Sequence, residues 1–312
     1  MSLFWGRNFI VGISLMSASM FIHYDIAAEP SPDSCRIEGY DRDGLMALRQ
    51  AEYHFNESGR ADKIALEMLP CLSDPDPDLR DKFAYEGYVN FLRNDHLTET
   101  TLQSLRNRLI DNLASESKDT YGVKKPFTAL VLAELARQDR LDARLTIEER
   151  QQIVGAATDY MRGIEDYRGY DANVGWRHGV AHAADLLMQL SLNGALDAPQ
   201  QEQIRDAVQS QINPNETHFY IYGEPERLAR PILYLALKGA FNEENWADWM
   251  QELADPAPFE DWSDVYRSQE GLAKLHNTKA FANAIYTNAA NSENDDVNLL
   301  AAPALSLLKV LL

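Results

Sequence analysis

Apolar residues recur along most of the chain with the spacing of one face of an α-helix. Between residues 102 and 113, the residues Leu102, Leu105, Leu109 and Leu113 lie three or four positions apart. No long stretch alternates with the period of two that marks a half-buried strand. The pattern predicts an all-α protein, with helices near 42–55, 60–70, 78–93, 98–115, 126–138, 146–163, 175–192, 199–212, 225–239, 243–253, 264–288 and 296–311.

The segments between the predicted helices are short and rich in residues that end or begin helices. Residues 74–78, Asp-Pro-Asp-Pro-Asp, separate two of them. Proline ends a helix because it lacks the backbone donor, and acidic residues stabilise the positive end of the next helix. Such turns recur roughly every 35–45 residues, as in helical repeats. We therefore predict an α-α superhelix, a solenoid of antiparallel helix pairs with irregular HEAT-like repeats, forming a single domain over residues 41–312.

The first 28 residues have a different character. Arg7 precedes an apolar run from Phe9 to Ile22, and small residues ending at Ala28 precede a polar segment. This order is typical of a secretory signal peptide, and the run is shorter than the ~20 residues that span a bilayer. We predict a signal peptide at 1–28, an irregular segment at 29–40, and an exported, periplasmic protein without a membrane span in the mature chain. An uncleaved anchor is the alternative.

The sequence contains two cysteines, Cys35 and Cys71. An even number in an exported chain permits a disulfide, which stabilises by roughly 3–4 kcal/mol if it closes a loop of this length. Two isolated buried thiols are the alternative. Neither cysteine has the Cys-x-x-Cys spacing of a redox or zinc motif.

The formal net charge of −19 limits the classes of partner. Nucleic acids and anionic lipids both attract basic surfaces, so the charge argues against either as a ligand. An acidic surface favours a basic partner instead.

The most distinctive chemistry lies in the predicted helix at 175–192. At 100° per residue, His178, His182, Asp185 and Gln189 share one narrow stripe, and the aliphatic residues of this helix occupy the opposite face. Two imidazoles beside a carboxylate suit acid–base chemistry near neutral pH or the binding of a ligand. They are equally suited to hydrogen bonding with a neighbouring helix. The spacing of the two histidines gives little support for a metal site, because Gly179 stands where a zinc protease has glutamate. We therefore predict neither a metal nor a cofactor.

Two further segments supply candidate binding residues. The glycine-bearing loop before the predicted helix contributes Tyr170 and Trp176, and the start of the 225–239 helix contributes Glu224 and Arg227. We predict a binding or scaffold module in which these side chains and the stripe line one polar groove for an unknown peptide, glycan or protein ligand. The alternative is a hydrolase that uses His182 or Asp185 as the base, with or without a metal.

Several of these segments together resemble a bacterial family of α-helical proteins, the domain of unknown function 2785. The resemblance is carried by residues 72–81 and 127–132, by 168–170 and 175–187, which contain Trp-Arg-His-Gly-Val-Ala-His-Ala-Ala-Asp, and by 223–229, Gly-Glu-Pro-Glu-Arg-Leu-Ala.

The resemblance covers roughly residues 66–240 and extends more loosely to 290. It implies a helical fold and no established activity, substrate or cofactor. Lys125-Pro126 replace the Arg-Ser that members usually carry, so a role for that basic residue is not implied here. A helical toroid resembling lanthionine cyclases is a further alternative, although the zinc-binding cysteine and histidine set of those enzymes is missing.

Overall fold

The computed structural model describes residues 35–55, 57–214 and 217–311. The signal peptide predicted at 1–28 and the first residues of the predicted irregular segment lie outside this range. Within the described part, no helix combines the length and the apolarity needed to cross a bilayer.

Helices account for nearly all regular structure in the described residues, which confirms the all-α prediction. The α-helices are α1 (Arg42–Gln50), α2 (Arg60–Glu67), α3 (Glu86–Arg93), α4 (Glu99–Ala114), α5 (Lys124–Leu141), α6 (Ile147–Arg162), α7 (Gly179–Ser191), α8 (Ala198–Ile212), α9 (Glu224–Leu237), α10 (Glu243–Leu253), α11 (Gln269–Ala290), α12 (Asp295–Asn298) and α13 (Ala301–Val310). Two 3-10 helices (Leu69–Ser73 and Asp264–Arg267), a π-helix (Asp78–Tyr85) and the strands β1 (Tyr170–Asp171) and β2 (Gly175–Trp176) complete the set.

The central helices form two rows. Helices α3, α5, α7, α9 and α11 pack side by side in the first row, and α4, α6 and α8 form the second. Because consecutive helices fall into alternate rows, the chain passes back and forth between them, as expected for stacked helix pairs. The finer prediction, irregular HEAT-like repeats, stays a prediction.

Helices α5, α7 and α9 of the first row run in the same direction, which places corresponding ends side by side. Near the C-terminal ends of α5 and α7, Arg140 Nε donates a hydrogen bond of 2.8 Å to Gln189 Oε1. At the other end of α7, His178 Nε2 lies 3.9 Å from Oε1 of Glu224, the first residue of α9. The beginnings of α7 and α9 are therefore neighbours, and residues that precede these helices meet in space.

Capping residues fix where several helices begin. Thr146 and Glu149 form a reciprocal capping box at the start of α6, as do Asp197 and Gln200 at the start of α8. Each pair satisfies backbone donors that a helix cannot satisfy internally. The predicted and observed starts of both helices therefore agree within a residue.

A buried polar network ties together α5, α6 and the end of α7. Arg150 Nε donates to Asp139 Oδ2 at 2.9 Å, and Asn193 Nδ2 donates to the same oxygen at 2.7 Å. Asp139 Oδ1 accepts from the backbone amide of Leu145 at 2.9 Å. Burial alone would raise the pKa of Asp139, but the hydrogen bonds and the positive charge of Arg150 outweigh burial and lower this pKa.

Cys35 and Cys71 are joined by a disulfide, with Cα atoms 4.2 Å apart. The bond attaches the segment before α1 to the 3-10 helix that follows α2. The backbone amide of Cys35 also donates to Asp74 Oδ2 at 3.1 Å, so a second contact holds this segment.

Candidate functional site

A short β-hairpin and two irregular residues, Arg177 and His178, precede α7, where the sequence pattern predicts continuous helix from residue 175. Tyr170 pairs with Trp176 across the antiparallel strands. The backbone φ angles of Gly175 (77°) and His178 (54°) are both positive, and a right-handed helix cannot contain them. The prediction was therefore wrong for residues 175–178, and α7 begins at Gly179.

Side chains close to the hairpin turn stabilise it. Asp171 Oδ1 accepts hydrogen bonds from the amides of Asn173 (2.8 Å) and Val174 (2.9 Å), which closes the turn. This arrangement places Trp176 on the outside, where its ring stacks on the His178 imidazole with centroids 4.4 Å apart.

Four rings form a group that we call the aromatic cluster: the exposed Tyr170, Trp176 and Tyr222, and the mostly buried His178. Trp176 contacts Tyr170 at 5.3 Å and Tyr222 at 5.5 Å between centroids, both nearly edge-to-face. Tyr170 is 56% exposed, Trp176 40% and Tyr222 36%. Tyr222 precedes α9, so the cluster draws on two separate segments of the chain. Neighbouring Ile221 is 69% exposed and extends the apolar surface.

The two imidazoles lie close together but differ in accessibility. The rings of His178 and His182 are 5.9 Å apart. His182 is buried against the Phe127 ring, with centroids 5.3 Å apart. Burial, with smaller contributions from His178 and Arg227, lowers the pKa of His182 to about 3. Burial and then the charge of Arg227 also lower the pKa of His178. Both rings are therefore neutral near pH 7.

The carboxylates of the site are engaged in contacts within the protein. Asp185 accepts a hydrogen bond from Arg227 Nη1 and lies 3.7 Å from Arg230 Nη1. Burial raises the pKa of Asp185, against the opposing effect of Arg227. Glu224 is 3% exposed, its Oε2 accepts from the Tyr222 amide at 2.9 Å, and burial raises its pKa.

The residues of the stripe predicted on α7 do not all lie at the same end of the helix. Gln189 accepts from Arg140 near the C-terminal ends of α7 and α5, so it does not join the other candidates. The remaining predicted residues, His178, His182, Asp185, Tyr170, Trp176, Glu224 and Arg227, lie together where α7 and α9 begin.

Sequence reasoning missed the residues that support this site. Arg80 lies in the π-helix, is fully buried, and places its guanidinium 4.5 Å from the centroid of the Phe127 ring. Its Nη2 donates to the Val174 carbonyl at 2.8 Å, which holds the hairpin turn. Arg177 Nε donates to the Tyr121 carbonyl at 2.6 Å and holds the hairpin from the other side. The sequence pattern predicts that a basic residue next to a Pro-Asp turn is solvent-exposed. No local signal therefore identifies Arg80 as a buried residue that supports the site.

Within this site, Nε2 of His178 and Nδ1 of His182 are buried and have no hydrogen-bond partner among the described residues. Among the described residues, no group of three or more His, Cys, Asp or Glu side chains is arranged to hold a metal ion. The aromatic and imidazole groups, rather than a set of free carboxylates, therefore dominate the chemistry of the site.

Fold and site together define an all-α protein that carries an aromatic cluster at the N-terminal ends of two adjacent helices. A family model described as "Protein of unknown function (DUF2785)" matches residues 93–287. The chain belongs to this family, which confirms the resemblance noted from the sequence, although residues 72–81 precede the matched range. No curated protein matches the chain. No solved structure matches it either.

Proposed function

We propose that this protein is a binding module and that the aromatic cluster is its contact surface for a polypeptide segment of a partner protein. The main support for this proposal is that Tyr170, Trp176 and Tyr222 are exposed and form one contiguous group. Contiguous exposed apolar surface marks binding sites on soluble proteins. Trp, Tyr and Arg are also the residues that carry most binding energy in protein interfaces, and Arg227 lies close enough to the His178 ring of the cluster for its charge to lower the pKa of that ring.

A polypeptide suits the site better than a glycan. Sugar hydroxyl groups require several free hydrogen-bonding partners, but Asp185 is paired with arginines and Glu224 is buried and bonded to the Tyr222 amide. The accessible part of the site is mainly ring surface. Apolar and aromatic side chains of a peptide can bury that surface without leaving polar groups unsatisfied.

The hydrolase alternative gains little support from the geometry. A general base has to reach the proton that it abstracts. His182 is 8% exposed and packs against Phe127, and Asp185 is occupied by Arg227. Neither predicted base is therefore presented to a ligand at the surface.

Selection from a library of random displayed peptides tests the binding proposal. Peptides that bind the wild-type protein are expected to bind the Trp176→Ala variant at least about thirtyfold more weakly, equivalent to roughly 2 kcal/mol at an interface hot spot. Tyr266→Ala is the matched control, because Tyr266 is 62% exposed outside the cluster. Equal loss in both variants, or none in Trp176→Ala, would contradict the proposal, and so would recovery of ligands only from a glycan array.

A pair of glycine variants tests the cluster without removing a ring. A Cβ at Gly169 would lie 2.2 Å from carbons of the Tyr222 ring, whereas a Cβ at Gly155 would meet nothing within 4 Å. Gly169→Ala is therefore expected to displace Tyr222 and weaken binding of the selected peptides, and Gly155→Ala is expected to leave their affinity unchanged.

We also propose that the protein acts outside the cytoplasm, as an exported and periplasmic scaffold with irregular HEAT-like repeats. The signal-like pattern of residues 1–28 and the Cys35–Cys71 disulfide support this location, because disulfides persist in oxidising compartments. Mass spectrometry of the protein from fractionated cells is expected to find it in the periplasm, starting after Ala28. A full-length cytoplasmic chain with free thiols would contradict export.

A further inference from the structure

A second surface feature shares no residue with the aromatic cluster. A cleft of about 640 Å³ opens between the segment from α2 to the first 3-10 helix and the α4–α5 loop. Leu66, Leu69 and Pro70 form an apolar wall on one side. This volume falls within the range of roughly 300–1,000 Å³ that is usual for small-molecule sites.

Three cations line the cleft without a carboxylate partner in the described part of the chain. Arg108 and Lys118 take part in no ion pair there, and Lys124 Nζ contacts only Ser117 Oγ, at 3.5 Å. The protein has 48 acidic and 29 basic residues, so partners for cations are abundant. Three cations in one cleft without an internal partner leave positive charge free to attract an external anion.

Two carboxylates also line the cleft, and they limit the kind of anion. Asp119 accepts from the amides of Gly122 (2.8 Å) and Lys124 (2.7 Å), so its charge is committed to the loop before α5. Asp111 lies on the exposed side of α4, one turn after Arg108. The excess of positive charge is small, so an anion also needs apolar contact with the wall to bind well.

We propose that this cleft binds a small amphiphilic anion, with its apolar part against Leu66, Leu69 and Pro70. Its carboxylate, sulfonate or phosphate group lies between Arg108 and Lys118. The arginine supplies two parallel donors to such a group, and the lysine adds a point charge. This site shares no lining residue with the aromatic cluster, so either proposal can fail without the other.

Two fluorescent probes with the same ring system test the site. The anionic probe is 8-anilinonaphthalene-1-sulfonate, and N-phenyl-1-naphthylamine is the same molecule without the sulfonate. The test variant is Arg108→Gln/Lys118→Gln. The control, Arg137→Gln/Lys238→Gln, removes the same charge from residues that do not line the cleft.

The wild-type protein and the control variant are expected to bind the sulfonate saturably, with one site and a micromolar dissociation constant that rises with salt. Arg108→Gln/Lys118→Gln is expected to bind it at least about tenfold more weakly and to change the affinity for the neutral probe by less than about twofold. Trp176→Ala is expected to bind both probes like the wild type. Absence of saturable sulfonate binding, equal weakening in the control variant, or equal weakening for the neutral probe would overturn the proposal.

Discussion

Burial of the His182 imidazole makes the stability of the protein depend on pH in a way that one substitution can isolate. The folded-state pKa of His182 is about 3, whereas an unfolded histidine titrates near ~6.5. As the pH falls below ~6.5, the unfolded chain binds a proton that the folded protein does not bind, so folding loses stability. This contribution is complete at neutral pH and is lost progressively down to the folded-state pKa.

The magnitude follows from linkage. Between about pH 7 and about pH 4.5, the free energy of unfolding is expected to fall by about 2.5 kcal/mol because of this one group. This expected loss depends little on the folded-state pKa of His182, because pH 4.5 remains above that pKa. His182→Gln removes the titration and retains an amide that can donate to the Pro126 carbonyl, the backbone partner of the imidazole.

Urea unfolding at the two pH values measures the effect. The His182→Gln variant is expected to lose about 2.5 kcal/mol less than the wild type on acidification. His54→Gln is the control, since His54 is exposed and its removal is expected to leave the wild-type difference unchanged. If His182→Gln and the wild type lose equal stability, the imidazole protonates in the folded protein and is accessible. That outcome would refute the burial argument and restore His182 as a candidate base.

Three further substitutions test the contacts that hold the fold and the site. Arg80→Met removes the donor to the Val174 carbonyl and is expected to lower the free energy of unfolding by about 3 kcal/mol in urea titrations, and a loss below about 1 kcal/mol would contradict its structural role. Asp139→Ala leaves a buried guanidinium without its counter-charge and is expected to cost about 3–5 kcal/mol by the same assay, whereas a loss near zero would show that the network is dispensable. Cys35→Ala/Cys71→Ala is expected to lower stability by about 3–4 kcal/mol, and a melting temperature insensitive to both the substitution and reductant would contradict this.

Local patterns predicted the helices whose ends are set by local contacts. The helix expected at 199–212 is α8, Ala198–Ile212, because Asp197 and Gln200 cap it within the same segment. The buried face of α7 also agrees with its periodicity, since Val180, Ala184 and Leu187 lie in the core.

Prediction failed where neighbouring segments override periodicity. The sequence from Gly175 continues the helical pattern of α7, yet Arg80 from the π-helix binds the Val174 carbonyl and Arg177 binds the Tyr121 carbonyl. These contacts join residues that are 94 and 56 positions apart, so no local window contains them. They favour a hairpin, and the aromatic cluster exists only because Trp176 is presented from that hairpin.

The residues of the polar stripe on α7 therefore have different roles, which depend on their position along the helix. Gln189 binds Arg140 of α5, and Asp185 binds Arg227 of α9, so both fasten α7 to its neighbours in the first row. At the start of the helix, where the left-handed backbone of His178 interrupts the pattern, the stripe instead meets the exposed ring of Trp176. Helical spacing groups His182, Asp185 and Gln189 on one face of α7, but the partners offered by α5 and α9 decide which side chains remain available to a ligand. Those partners lie on other segments of the chain, and the sequence of α7 alone does not reveal them.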